Sequence, residues 1–368
     1  MSQLDPFELL SAAASRAGVS IVEDTEQPPA AVGGGWFLPS DTHPHEQSWL
    51  AWPMDGEVLG RTEGMADEGR AAWASVANAV SEFEPVSVVC RPGDEAKARR
   101  LLAGDISLYV SAHTVPWLRE TGPSFVLNGD DLLGAVDWAG QYDSAGDTQI
   151  ASRIGEWARA TRVSSPLQAS PSCFAANGSS TVLALRSRRL EGSSTGQKRR
   201  HLEEQLREVT GTEHTVWLPQ PLTSGPRVSR GEQAARVDDL AVFASSNVVL
   251  AHDQRDAQHP DFLVSKQLRQ TLSTARNSGG EPFELVWLPA PETLRDTNRF
   301  VSYSYVNHYV TNDAVVLGTY RDPNDDVAAS ILADRYGLEV VRVDARPLFA
   351  RGGGVRSLVV PQPRSQQQ

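Results

Sequence analysis

The segment RGGGVRSLVV (351–360) carries the most pointed chemistry in the chain. Three glycines precede an apolar run, so the backbone there turns tightly or lets another group approach closely. Gly353 and Gly354 leave room before Arg356 and Ser357, which place a guanidinium and a hydroxyl at the entrance of the strand that the apolar run predicts. A plain glycine turn accounts for the same residues. Ser357 does not lie in a G-x-S-x-G elbow, the usual setting of a hydrolase serine. A second cluster, WLRETGP (117–123), sets Arg119 and Glu120 between Trp117 and a Gly-Pro turn. That order can hold a carboxylate in a cleft, or form a salt bridge on a surface. In ARVDDLAVF (235–243), Asp238 and Asp239 open an apolar strand and would point to its opposite faces, one inward as a cation binder. Loop or cap acids are the plainer explanation.

The eight histidines include no HExxH pair or other metal-binding spacing. HPHE (43–46) offers two imidazoles and a carboxylate, but its place before SWLAWP reads as a structural corner. No Walker A or dinucleotide glycine fingerprint is present, and GGGW (33–36) follows no predicted strand. The expectation is a site with no metal and no cofactor.

These residues need a frame, and the frame reads as a repeat. Apolar strands are predicted at 86–90, 180–185, 214–219, 247–252, 283–289, 314–320 and 338–343, with helical segments such as EAKARRLLA, VSKQLRQTLSTARN and DDVAASILADRYG between them. A recurring strand-helix-strand unit argues for an α/β protein built from repeats. The charged helix over 194–209 reads as a solvated outer face. Residues 1–35 read as an appended arm, with a helix at 5–17 and a connector ending in Gly33-Gly34-Gly35; residues 36–360 form the main domain and 361–368 a disordered tail.

Acidic residues outnumber basic ones by 46 to 34, for a net charge of -12, which argues against nucleic acid or an anionic membrane as partner and favours small cationic ligands. Cys90 and Cys173 cannot build a disulfide framework. Asp5 and Glu8 stand where a signal peptide needs positive charge, and no stretch approaches the roughly 18 apolar residues of a membrane span. The chain reads as soluble and cytoplasmic, and the helix at 5–17 suits homodimer contacts.

Taken in order, the motifs resemble those of agmatine deiminases and bacterial-type peptidylarginine deiminases. FLPSDTHPHEQSWLAWP (37–53) is similar to their opening segment, and WLRETGP to their Trp-x-Arg-Asp-x-Gly-Pro motif. GAVDW (134–138), HTVWLP (214–219), YVNHYVTNDAVVLGTYRDPNDDVA (305–328) and RGGGVRS follow in the family's order, so the resemblance spans about 36–360. It implies the pentein fold, a five-bladed pseudo-symmetric α/β propeller around an acid-lined pocket for a guanidinium group.

The resemblance also implies a catalytic cysteine, histidine and glutamate, and this chain departs from all three. The cysteine position holds Ser357, the histidine of His-Val-Asp is Arg236, and the Glu-Gly-Gly segment best matches Ser170-Pro171-Ser172. The acid of the tryptophan motif is Glu120, and Asp238 is retained. A serine hydroxyl needs a neighbouring base, and a guanidinium cannot act as one. The expectation is therefore loss of thiol-route deimination. Glu120 would serve acid-base chemistry on a small amine or amino acid, with Arg236 clamping a ligand carboxylate and Asp238 holding an amine. The alternatives are a pseudoenzyme that binds a small ligand or regulates a partner, and a deiminase or amidine hydrolase using Ser357 with His308 as its base.

Overall fold

The computed structural model describes residues 19–20, 35–56, 58–130, 132–140, 142, 144–185, 196–223, 236–295 and 301–365. In chain order they form strand β1 (Val19–Ser20), β2 (His45–Ala51), helix α1 (Glu63–Ser81), β3 (Val86–Cys90), α2 (Glu95–Arg99) and β4 (Ser107–Val110). A second unit comprises α3 (Leu118–Thr121), β5 (Ser124–Leu127), β6 (Leu133–Trp138), α4 (Ala145–Trp157) and β7 (Thr161–Ser165). The third is β8 (Phe174–Ala176), β9 (Thr181–Leu185), α5 (Gly196–Thr210) and β10 (His214–Leu218). The fourth is β11 (Ala241–Phe243), β12 (Val248–Asp253), α6 (Asp261–Thr274) and β13 (Glu284–Pro289). The fifth is β14 (Tyr309–Val310), β15 (Ala314–Thr319), α7 (Asn324–Tyr336) and β16 (Glu339–Asp344), followed by α8 (Arg346–Phe349), α9 (Val355–Leu358) and β17 (Val360–Pro363).

Units two to five share one topology. The first strand is antiparallel to the second, and the second is parallel to the third. A parallel neighbour requires a crossover, which each unit's long helix supplies. The first unit borrows its antiparallel strand from the other end of the chain: β17 pairs with β2, while β2, β3 and β4 run parallel. The central strands are largely apolar because both faces are covered, as in VSVVC of β3 and TVLAL of β9, all buried. Neighbouring units touch through β17 and β5, β7 and α5, β8 and β11, β13 and α7, and β15, β16 and α1, which closes a ring of five.

The predicted strands are found nearly in place, and α5 buries Leu202, Leu206 and Val209 while exposing most of its charges. The helix expected at 5–17 lies outside the described residues. Val19–Ser20, assigned to the arm, adds an edge strand parallel to β4. The expected disordered tail is corrected at its start: Pro361–Pro363 belongs to β17, and Gln362 Oε1 accepts hydrogen bonds from Trp49 Nε1 at 2.8 Å and Gln47 Nε2 at 2.9 Å. Pairing with Ser48, Gln47 and His45 of β2 makes those residues a strand, which their Pro-Gln-Pro composition did not suggest.

Ring closure also rests on Glu84, a buried acid between α1 and β3. Its carboxylate accepts from the Ser48 hydroxyl, from the Asn312 backbone N–H at 2.9 Å and from His45 Nδ1 at 3.1 Å, with the Tyr309 hydroxyl at 3.3 Å. These partners come from the first and fifth units. Glu84→Ala is expected to lower the unfolding free energy by about 3–5 kcal/mol, because it leaves several buried donors unpaired at once. Urea denaturation measures this, and a loss below about 1 kcal/mol would show that the closure does not depend on the carboxylate.

Candidate active site

One positional rule assembles the centre of the ring. Each unit contributes the short segment that precedes its antiparallel first strand. These are α3 before β5, a single 3-10 turn Pro171–Cys173 before β8, the turn over 236–240 before β11, the turn over 304–308 before β14, and α9 before β17. Two expectations are corrected here. Arg356 and Ser357 lie on the one-turn helix α9 and not at a strand entrance, since the strand begins at Val360. Asp238 and Asp239 precede β11 in a turn, which lets both reach the centre where a strand would have sent them to opposite faces.

The glycines of 352–354 permit this closeness. Gly352 has φ 103°, and a Cβ on Gly353 would lie 2.6 Å from the Trp117 ring and one on Gly354 2.5 Å from Asn307 Oδ1. Trp117 is itself held by Trp73 of α1, with ring centroids 4.6 Å apart.

At the bottom of the site Asp238 is 0% exposed and sits between two guanidinium groups. Arg119 Nε donates to Oδ2 at 3.1 Å and Arg356 Nε to Oδ1 at 2.8 Å. Arg119 Nη2 donates onward to the Pro171 carbonyl at 3.0 Å, and Arg356 Nη1 to the Asp41 carboxylate. Burial raises the Asp41 carboxyl, but Arg356 and Arg119 outweigh it and hold the group below its ordinary value. Burial opposes the charge on Arg356, but Asp41 and Asp238 reverse that and raise its pKa.

Nearer the surface lies a second ion pair. Arg236, 9% exposed, donates from Nε to Glu120 Oε1 at 2.7 Å and from Nη1 to the Gly352 carbonyl, with its guanidinium carbon 5.8 Å from the Trp117 ring centroid. Ser172 Oγ donates to the same Glu120 oxygen at 3.1 Å, and the Tyr142 hydroxyl to the Glu120 carbonyl at 2.7 Å. Asp239 is the remaining acid, partly exposed, accepting from Asn307 Nδ2 at 2.7 Å. Burial pushes its carboxyl up to about 6, with Arg236 and Asn307 pulling the other way.

The sequence-predicted residues therefore divide. Trp117, Arg119, Glu120, Arg236, Asp238, Gly353, Gly354 and Arg356 are brought together. Ser170 is buried beneath, bonded to Ser172 Oγ at 3.0 Å and near Cys173 Sγ at 3.5 Å, so Ser172 reaches Glu120 instead. Ser357, 1% exposed, accepts from the Gly354 N–H and from Asn307 Nδ2, both at 3.2 Å. His308 is not placed to serve it: Nδ1 faces the Tyr305 carbonyl at 2.8 Å and Nε2 the Tyr336 hydroxyl at 2.9 Å, and burial holds the ring down to about 4. Cys90 is buried in β3 with its thiol pushed up to about 12 by burial and Glu95. No group of three or more metal-ligating side chains occurs among the described residues. Asp41, Ser172, Asp239 and Asn307 are additions that sequence reasoning did not assign. Asp239 was visible beside Asp238, whereas Asp41 and Asn307 carried no local signal.

The adjacent acids should respond oppositely to loss of charge. Asp238→Asn is expected to cost about 3–5 kcal/mol, because two buried guanidinium groups lose their shared carboxylate. Asp239 has a folded-state value above its unfolded one, so between about 4 and 6 the folded state holds the extra proton and stability falls as pH rises. Asp239→Asn should remove that fall and leave the protein no less stable above pH about 6. Denaturation midpoints measured across this range check both outcomes.

With this geometry in hand, similarity to known proteins is informative. The model of the Porphyromonas-type peptidyl-arginine deiminase family matches residues 37–363. A Streptomyces coelicolor protein, provisionally named agmatine deiminase, is 38% identical over 338 residues, covering 89% of this chain and 99% of its own. An agmatine deiminase of Pseudomonas aeruginosa is 26% identical over 364 residues, covering 89% of this chain and 96% of its own. Among solved structures, the Enterococcus faecalis agmatine deiminase superposes with a TM-score of 0.82 at 21% identity, over 92% of this chain and 100% of that one. Campylobacter jejuni agmatine deiminase gives a TM-score of 0.76 at 18% identity, over 93% and 99%. Five repeated units closed into a ring, and a family match across nearly all of that ring, make this chain a pentein of the Porphyromonas-type peptidyl-arginine deiminase family, related to the agmatine deiminases.

Proposed function

We propose that this protein has given up guanidine hydrolysis through a thiolate and uses the same cleft for acid-base chemistry on a small amine or amino acid. The observation that carries the reading is the Arg236 guanidinium, seated on Glu120 at 2.7 Å and over the Trp117 ring. A carboxylate, a backbone carbonyl and an aromatic face are the groups that would hold a ligand's guanidinium. A side chain of the protein already holds that place. The nucleophile is missing as well: Ser357 accepts two hydrogen bonds, and both of its neighbours in that contact are donors. Neither can take its proton.

Glu120 and Asp239 are half-buried beside the buried Arg236. A ligand carboxylate pairs with the Arg236 guanidinium, and a ligand ammonium with Asp239. Asp239 titrates near 6, close to where a general acid or base works best. The proton carrier is therefore Asp239, and Glu120 orients Arg236. Proton transfer of this kind supports condensation or cyclisation of an amine substrate. A binding protein without turnover is the second reading, favoured by the mutual pairing of Arg119, Asp238, Arg356 and Asp41.

Three measurements test the proposal. Incubation with agmatine or arginine should release no ammonia, and sustained release would overturn it. Arg236→Ala should gain a thermal shift of several degrees with methylguanidinium that the wild type lacks; an equal response from the wild type would show that Arg236 does not occupy the place. Calorimetric affinity for a zwitterionic amino acid should rise with pH through about 6, as Asp239 ionises, and Asp239→Asn should abolish that step. An affinity flat across this range would remove Asp239 from the site.

A further inference from the structure

A separate groove opens between the first three units, against the far side of Arg119. It is open to solvent. Its walls mix apolar side chains, Phe125, Phe174 and Val360 among prolines, with Ser40, His43 and Ser124, and it also presents Asp41, His45 and Arg119. Glu120, Arg236 and Asp239 are not among the residues that line it.

His45 gives this groove its chemistry. The residue is 2% exposed, its Nδ1 faces the Glu84 carboxylate at 3.1 Å, and its Nε2 is buried with no hydrogen-bond partner. The carboxylate requires the proton on Nδ1, so Nε2 of the neutral ring is an acceptor. Asp41 supplies the second acceptor, a carboxylate with one oxygen engaged by Arg356. The charge on Arg119 is already matched by Asp238 at 3.1 Å. Two acceptors in a groove partly walled by apolar side chains select a hydrogen-bond donor on a hydrophobic body, and the chain's net charge of -12 favours a cation there.

We infer that this groove is a second ligand site, which binds a small primary amine with an apolar body, its ammonium between Asp41 and His45 Nε2. Bound there, the amine shares Asp41 with Arg356, whose other bond holds Asp238 beneath the central cleft. The inference deepens the proposed preference for amines but places this ligand at a different address, so the two can fail separately.

Calorimetry with 2-phenylethylamine, and with 3-phenylpropionate as the anionic counterpart, tests it on the intact protein. The wild type should bind the amine and not the carboxylate. His45→Asn keeps an N–H for Glu84 and removes the Nε2 acceptor, and it should weaken amine binding at least tenfold. Ala176→Leu fills the groove from β8 and should abolish binding, with circular dichroism and the unfolding midpoint confirming a folded protein. Asp239→Asn should leave amine binding intact. Retention in the first two variants with loss in Asp239→Asn would place the amine in the central cleft and overturn the inference while sparing the proposed function. No binding by the wild type, or equal binding of 3-phenylpropionate, would overturn it outright.

Discussion

The centre of this protein depends on one carboxylate shared by two guanidinium groups. Asp238 is fully buried, and an unpaired charge there would be costly enough to expel it or force it to take up a proton. Arg119 from the second unit and Arg356 from the last helix supply the countercharge, and Arg356 reaches on to Asp41 near the first strand. The chain therefore draws four segments, distant in sequence, to a single point. Everything nearer the cleft rests on that layer, including the Trp117 ring and the glycines that fit against it.

Above this layer lies the second ion pair, Arg236 with Glu120. The positional rule, by which each unit places its functional side chains just before its antiparallel first strand, depends on the backbone and tolerates changes of side chain. Arg236 and Ser357 are placed by this rule in a ring that superposes on agmatine deiminases. A fold of this kind fixes where chemistry occurs and leaves its nature to a few residues. Here Arg236 pairs with Glu120 inside an architecture shared with the relatives.

Environment separates residues that composition treats alike. Asp238 and Asp239 are neighbours in sequence, yet one holds two arginines out of solvent's reach, and the other keeps a single donor within hydrogen-bond distance and edges into the cleft. Of the histidines in the two segments closest to the site, His308 spends both ring nitrogens on its surroundings and His45 keeps one free. Their capacity for chemistry follows from the partners they find, which sequence spacing does not record.

Periodicity and motif order determined much by themselves: the repeated α/β units, the strand positions and the ring implied by resemblance. These are local properties, carried by runs of apolar residues and by short motifs. Only the tertiary structure decided that Pro361–Pro363 is a strand, that Ser357 caps a one-turn helix, and that Ser172 and not Ser170 touches Glu120. It alone brought Asp41 and Asn307 to the centre and paired Arg236 with Glu120. The physical reason is range. A strand edge and a buried ion pair are each set by groups more than a hundred residues away in the chain, and no local pattern encodes which distant partner will be nearest once the ring has closed.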